Sequence, residues 1–248
     1  MGKSTGLGDN LYIDGYDLSG DVGSLSALSM RSAVLDVTGL DKYAHERAYG
    51  LADGEISFQA WFNDAAGRLH ERLKNQNTAD QHVAYFRGTT LGNAAACLVA
   101  KKVNYDPVRG PDGSLVIGVQ ALANAQKLEW GRMATAGKRT DSAATNGASI
   151  DDSAASAFGL AAYLQVFAFT GTSVTVAIQE SSDDAVGDPY AAVTGGAFTA
   201  ATGITKERIQ TGLTQAVERY LRVVTTGTFS NAVFAVVIVR YLGANQEL

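Results

Sequence analysis

The chain has 248 residues, 46% of them hydrophobic and 18% charged, with a formal net charge of −5. That length holds one large domain or two ordinary ones with real cores, under a surface poorer in charge than the usual quarter or so. The negative balance and the lack of any basic run exclude tight electrostatic binding to nucleic acid, since Lys101-Lys102 and Lys138-Arg139 are isolated pairs.

Small and hydroxylated residues stand where charge is missing, which suits a protein that offers much of its surface to neighbours. The single cysteine, Cys97, excludes an internal disulfide framework, and its setting in Ala94-Ala95-Ala96-Cys97-Leu98-Val99 marks a buried small hydrophobe. The start Met1-Gly2-Lys3-Ser4-Thr5-Gly6 has no apolar segment of a signal peptide, and no window approaches the ~20 apolar residues of a membrane span. Synthesis in a reducing cytosol, without membrane contact, is the expectation.

In chain order, residues 1–10 read as a polar arm. Leu11 to Leu18 reads as a strand broken at Asp14-Gly15, because Asp-Gly supplies the positive φ that a tight hairpin needs. Arg31 to Thr38 alternates weakly and predicts a strand, whereas Asp41 to Tyr49 has helical spacing with little apolar area. Glu55 to Phe62 is the strongest strand of the first half, with Ile56, Phe58 and Ala60 on one face. Asn63-Asp64 then caps an expected helix through Lys74, whose stripe is Phe62, Ala66, Leu69 and Leu73. A strand follows through His82 to Arg87.

Residues 94–106 and 114–123 predict two strands around a loop, 106–113, that holds Pro107 and Pro111. Leu128 to Gly131 closes a first domain, 1–133. From 134 to 157 the chain is nearly all small and polar residues, the composition of a linker or extended arm. The second domain, 158–248, reads as strands 161–169, 172–180, 220–225 and 232–241, with turns at Thr170-Gly171 and Gly227 and a segment of undefined type at 205–218. Val174, Val176 and Ile178 share one face by period two. Val233 to Val239 has no polar residue, so both of its faces must meet protein and it must be central or covered. The fold class is mainly β, a sandwich or barrel with one flanking α-helix in the first half and a β-sandwich in the second.

Chemistry is hard to place on this chain. His45, His70 and His82 stand in no metal-binding spacing, and His70 reads as a helix surface residue. Asp183-Asp184, with Glu180 and Asp188, offers oxygen ligands but lacks the spacing of a calcium loop, so it reads as a solvated turn. Gly2-Lys3-Ser4-Thr5 matches only the end of a phosphate-binding loop, and Ser19, Ser24 and Ser29 have no nucleophile elbow or paired histidine. Tyr163, Phe167, Phe169, Tyr220 and Tyr241 suit sheet packing as well as they suit stacking on a sugar. No catalytic, cofactor-binding or metal-binding residue is assigned, no cofactor is expected, and the chain is read as a non-enzyme.

Two resemblances follow. Gly171 to Asp183, with Glu218-Arg219-Tyr220-Leu221-Arg222-Val223, resembles the discoidin or galactose-binding pattern and implies a jelly-roll-like second domain. The whole chain is similar to the major tail (tail tube) proteins of long-tailed, siphovirus-like bacteriophages. The carrying patches are Asp17 to Val22, Val37 to Leu40, Asp53 to Phe58 and Tyr220 to Thr228. This resemblance implies a barrel-like tube domain, with subunits in stacked, hexameric rings and the second domain outside. It also implies a virion location, contacts with other copies and with tape measure, distal tail and terminator proteins, and genomic DNA passing through without tight binding. Glu55, Asp53 and Asp106 are the acidic residues expected to face the channel. The alternative is a carbohydrate-binding or adhesive β-sandwich, or another virion subunit such as a minor tail or head-decoration protein.

Overall fold

A computed structural model describes residues 5–75 and 78–243. The protein is built almost wholly of strands, as the composition of its apolar runs dictates. Two compact units form, and neither is a single run of chain: of the described residues one comprises 5–19, Ala84–Cys97 and 130–243, the other Gly20–Val83 and Leu98–Glu129.

The unit containing the C-terminal region is organised by two long strands, β11 (Leu160–Ser181) and β14 (Tyr220–Arg240), paired antiparallel from Leu160↔Arg240 to Ser181↔Tyr220. The turns expected at Thr170-Gly171 and Gly227 are bends inside continuous strands. Gly171 at φ 150° and Gly227 at φ 120° take conformations that only glycine adopts readily. There is no room for more: a Cβ on Gly171 would lie 2.4 Å from the Phe229 Cα, and one on Gly227 2.4 Å from the Ser173 carbonyl oxygen. Leu164 and Val166 before the bend, and Val174, Val176 and Ile178 after it, belong to one hydrophobic cluster with Phe234 and Val236. The apolar run of β14 is central and buried as its composition requires, with β11 on one side and β8 (Glu129–Met133) and β9 (Arg139–Asp141) on the other.

Residues 134–157, whose composition predicts a linker or arm, instead carry β9 and β10 (Thr145–Asp151), both paired to β14. Small residues are what this pairing needs, since a Cβ on Gly147 would sit 2.7 Å from the Val223 carbonyl oxygen. The 205–218 segment holds the strand β13 (Thr205–Gln210), and β12 (Ala191–Ala197) forms on β11 although its Gly-rich sequence gives no strand signal. The Asp14-Gly15 hairpin forms as expected between β1 (Asn10–Ile13) and β2 (Tyr16–Asp17), with φ 54° and 80° at the turn. Gln165, 3% exposed, holds it by accepting from the Gly15 N–H at 2.9 Å and donating to the Tyr12 carbonyl at 3.3 Å.

The other unit is a sheet of β3 (Val22–Asp36), β4 (Arg47–Trp61), β7 (Leu115–Ala123) and the outer part of β6 (Ala94–Arg109), in the order β3-β4-β7-β6. Residues 81–83 of β5 (Gln81–Phe86) also belong to this unit. Three expectations change. Asp41 to Tyr49 forms no helix, because β3 and β4 extend into one long hairpin instead. β6 continues through Pro107 to Arg109, since Pro107 lies opposite Ile117 in a pairing whose remaining bonds do not need its missing N–H. The helix expected over 63–74 is only α1 (Leu69–Leu73), because Gly67 at φ 73° breaks helical geometry before it. Asn63 accepts from the Ala65 N–H in a turn, and the helix start is met from β3's side by Asp21, which accepts from the Leu69 N–H at 3.3 Å.

Candidate functional site

The four-stranded sheet has two unlike faces. Register places Ile56, Phe58, Ala60, Ile117, Val119 and Ala121 on one of them, and all six are buried. α1 is tied to this face: His70 Nδ1 lies 2.7 Å from the Tyr105 hydroxyl, and Lys102 donates to the Leu73 and Asn75 carbonyls. His70 is thus a packing contact of the helix, not a free surface residue. Leu69 and Leu73 of the expected stripe are buried, while Phe62 lies against the His70 ring, tilted by 40° with centroids 4.5 Å apart, and stays exposed.

The opposite face carries the side chains that alternate with that core. Gln59, Gly118 and Asp106 form one row across β4, β7 and β6, and Ser57, Gln120 and Asn104 form the next. Glu55 follows on β4, with Arg31 and Asp53 paired beside it on β3 and β4. The three acids singled out in the sequence, Asp53, Glu55 and Asp106, therefore share one sheet face. Lys101 also reaches this side, where Asp80 pairs with it at 2.7 Å.

Hydrogen bonds bind this face into a network. Glu55 accepts from the Ser57 hydroxyl at 2.5 Å and the Gln120 amide at 2.8 Å, and pairs with Arg31 at 2.8 Å. The Ser57 hydroxyl and then the Gln120 amide hold the Glu55 carboxyl below the usual glutamate range, against a smaller opposing effect of desolvation. The Lys101 ammonium does the same for Asp80. Asn104 donates to Asp106 at 2.8 Å and accepts from the Gln120 N–H at 2.6 Å. Both cations, Arg31 and Lys101, are thus engaged by carboxylates, and the acids on and beside the face outnumber them. Gly118 sits at its middle with nothing within 4 Å of where a Cβ would be, so neither packing nor positive φ requires glycine there. Asn104 and Gln120 lie inside the expected strands 94–106 and 114–123, and only the register across β4, β7 and β6 places them beside Glu55.

The second feature is the β3–β4 hairpin. Among the described residues β7 pairs with β4 from Trp61 back to Glu55, and β3 has β4 as its one strand neighbour. Beyond Glu55 the hairpin is therefore two-stranded, with pairs such as Ser32↔Ala52, Val34↔Tyr49 and Asp36↔Arg47. Met30, Val34, Leu35, Tyr49 and Leu51 are all exposed. Isolated two-stranded ribbons with exposed apolar residues are marginal alone and mark contact surfaces. The tip is nonetheless ordered by polar bonds. Asp36 accepts from the Thr38 N–H at 3.0 Å and pairs with His45 at 2.8 Å, and Thr38 accepts from the Glu46 N–H at 2.9 Å. The Thr38 hydroxyl and N–H hold the Asp36 carboxyl low. Leu40 and Tyr43, on this ordered tip, are fully exposed.

The remaining sequence candidates are occupied structurally. Asp183 accepts from the N–H groups of Val186, Gly187 and Asp188 at 3.1, 2.6 and 3.1 Å, so it folds its own loop. No cluster of His, Cys, Asp or Glu able to hold a metal exists among the described residues. The Ser19 hydroxyl donates to Asp17 at 2.6 Å, and Cys97 is fully buried. Tyr163 and Tyr241 are buried with Arg208 on their hydroxyls at 3.1 Å, and Phe167 packs edge-on to Tyr12, so these rings do not form a sugar platform. Gly2, Lys3 and Ser4 lie outside the described residues. No helix among the described residues is long and apolar enough to cross a membrane.

No family model matches the chain, and no curated protein matches it. Among solved structures, a chain of the virion of a native gene transfer agent particle is similar at 15% identity and TM-score 0.42, over 52% of this chain and 98% of that one. The Dit protein of phage SPP1, described as a hub of the adsorption apparatus in phages infecting Gram-positive hosts, is similar at 11% identity and TM-score 0.32, over 94% and 99%. A chain of the phage p2 baseplate is similar at 9% identity and TM-score 0.33, over 94% and 98%. These are likenesses of chain path at low score.

Proposed function

We propose that this chain is a non-enzymatic virion subunit that self-assembles into stacked, six-membered rings and so builds a phage tail tube. The observation that carries the reading is the open face around Gly118. A sheet with one face buried and the other carrying a polar, mainly acidic band from Asp106 to Asp53, bordered by the exposed Trp61 and Val108, suits the wall of a channel. Asp53, Glu55 and Asp106 keep that wall negative, and the lowered Glu55 carboxyl stays ionised at neutral pH. Duplex DNA is repelled by such a wall and slides along it without adhering.

Ring closure needs a second surface, and β3 supplies one. Among the described residues no other strand pairs with its outer edge over Val22–Asp36, and that strand has only Arg31 and Asp36 charged and no proline. Natural edges are blunted by charge, proline or bulges; this one lacks proline and has few charges, and the run Ala27–Ser32 between its register shifts is regular, which suits a strand that pairs in the assembled state. The exposed hairpin provides contacts between rings, and heterologous contacts of this kind extend into tubes. The tail-tube sequence patches at Val37 to Leu40 and Asp53 to Phe58 fall on these surfaces. Other tail proteins (tape measure, distal tail and terminator) are the partners at the tube ends, with no membrane contact. Negative-stain microscopy of the concentrated protein tests this: stacked rings with a central channel are expected. Particles no larger than a dimer at every concentration, with or without an added tube fragment as initiator, overturn it.

A further inference from the structure

β10 carries the one Asn-Gly pair of the sequence, Asn146-Gly147. Its ladder to β14 breaks there: Asn146 pairs with Val224 and Ser149 with Arg222, so Gly147 and Ala148 together stand opposite Val223. A bulge of this kind leaves a residue outside the ladder. The Val223 carbonyl, which lies against Gly147, accepts from the Arg139 guanidinium at 2.8 Å. The Asn146 side chain is exposed, and with Gly147 it borders an open cavity of about 230 Å³ shared with Leu91, Arg139 and Thr145. Water therefore reaches both residues. The three Asp-Gly pairs of the chain differ. The Gly15 N–H donates to Gln165 at 2.9 Å, the Gly54 N–H to the Asp53 carboxylate at 2.8 Å, and the Gly113 N–H to the Gly110 carbonyl at 3.1 Å. Their backbone nitrogens are engaged, and an ionised carboxylate is a poor electrophile.

We propose that Asn146 is a site of spontaneous deamidation, with water as the co-reactant and the bulge as the feature that lets the folded chain react. The Gly147 nitrogen attacks the Asn146 Cγ. An N–Cγ bond forms, the Cγ–Nδ2 bond breaks, and ammonia leaves with the proton that the Gly147 nitrogen sheds. Glycine allows the approach because no Cβ shields its nitrogen. Water then opens the five-membered imide at either carbonyl, with no change of oxidation state. Opening at Cγ leaves aspartate. Opening at the main-chain carbonyl leaves isoaspartate, whose backbone runs through Cβ and Cγ and is one carbon longer. Both products add a negative charge beside the Arg139–Asp141 pair. The isoaspartate also lengthens β10, whose hold on β14 depends on matched register. The modification thus loosens β10 as the protein ages.

The test follows the folded full chain in mildly alkaline buffer by peptide mass and by methylation with an isoaspartyl methyltransferase. A gain of about one dalton should map to the peptide holding Asn146, in two chromatographic forms of which one accepts methyl. The bulge predicts a rate within about tenfold of that in the urea-unfolded chain, since little opening is needed to reach the reactive geometry. Asn146→Gln should abolish the gain, because its longer side chain closes a ring poorly. Asn146→Asp separates charge from backbone length: it should melt like fresh wild type, whereas the methyl-accepting fraction should melt lower. A folded-state rate slower than that limit, or a mass gain that arises first at another asparagine, overturns the inference. An isoaspartate fraction that melts with fresh protein overturns the loosening of β10.

Discussion

Two long antiparallel pairs dominate this protein, and they solve opposite problems. β11 and β14, 22 and 21 residues long, bury the apolar stretch Phe234–Val239 under strands on both sides. β3 and β4, 15 residues each, leave Val34, Leu35, Tyr49 and Leu51 in solvent past the point where β7 ends. Strand length and β propensity are similar in kind, so the difference lies in cover. The first pair is a core that stabilises its own unit. The second has apolar residues, an ordered tip and no cover among the described residues, which is what the proposed contact surface requires.

The contrast can be broken first at the core. Phe234→Ala, at a fully buried ring, should cost about 3–5 kcal/mol, read as a lowered urea midpoint. Gly227→Val comes next, since it forces a Cβ against the Ser173 carbonyl at a φ that valine avoids. A loss of about 1–3 kcal/mol is expected, and an unchanged midpoint would mean that the bend does not depend on glycine.

A smaller effect is visible through pH. The Arg219 guanidinium, and then the Ser153 N–H, hold the Asp151 carboxyl at about 2. That is below the unfolded value of roughly 3.9, so its stabilisation is complete above that pH and fades as pH falls through the folded value. The advantage of wild type over Asp151→Asn in thermal melts should therefore be present at pH 5 and shrink towards pH 2; a constant difference would contradict the pairing. Smallest in stability should be Leu40→Ser with Tyr43→Ser, within ~0.5 kcal/mol for exposed sites. The same double variant should lose self-association, and a variant that melts normally yet assembles like wild type would erase the distinction between the two pairs.

Much of this was readable from residues, though unevenly. The Asp14-Gly15 hairpin, the Glu55–Phe62 strand and the buried Val233–Val239 run follow from local rules, because turn chemistry and period-two burial are written into a few neighbouring side chains. What escaped depends on partners distant in sequence. Gly171 and Gly227 look like turns until each is seen opposite the other strand, where they bend a continuous ladder. The 134–157 stretch looks like a linker because Gly147 and its small neighbours have little to bury, yet β14 recruits them as strands. Asp53, Glu55 and Asp106 were legible as acids near strand ends, but only register across β4, β7 and β6 puts them on one face. The exposed hairpin left a weak alternation from Arg31 to Thr38 and no sign of its reach.

The most direct test is a high-resolution electron cryomicroscopy map of assembled wild-type protein. The account predicts stacked rings whose channel is lined by the Gly118 face, with Asp53, Glu55 and Asp106 pointing inward and β3 edges paired between neighbouring copies. Rings with that face turned outward, or a channel walled by β11 and β14, would contradict it.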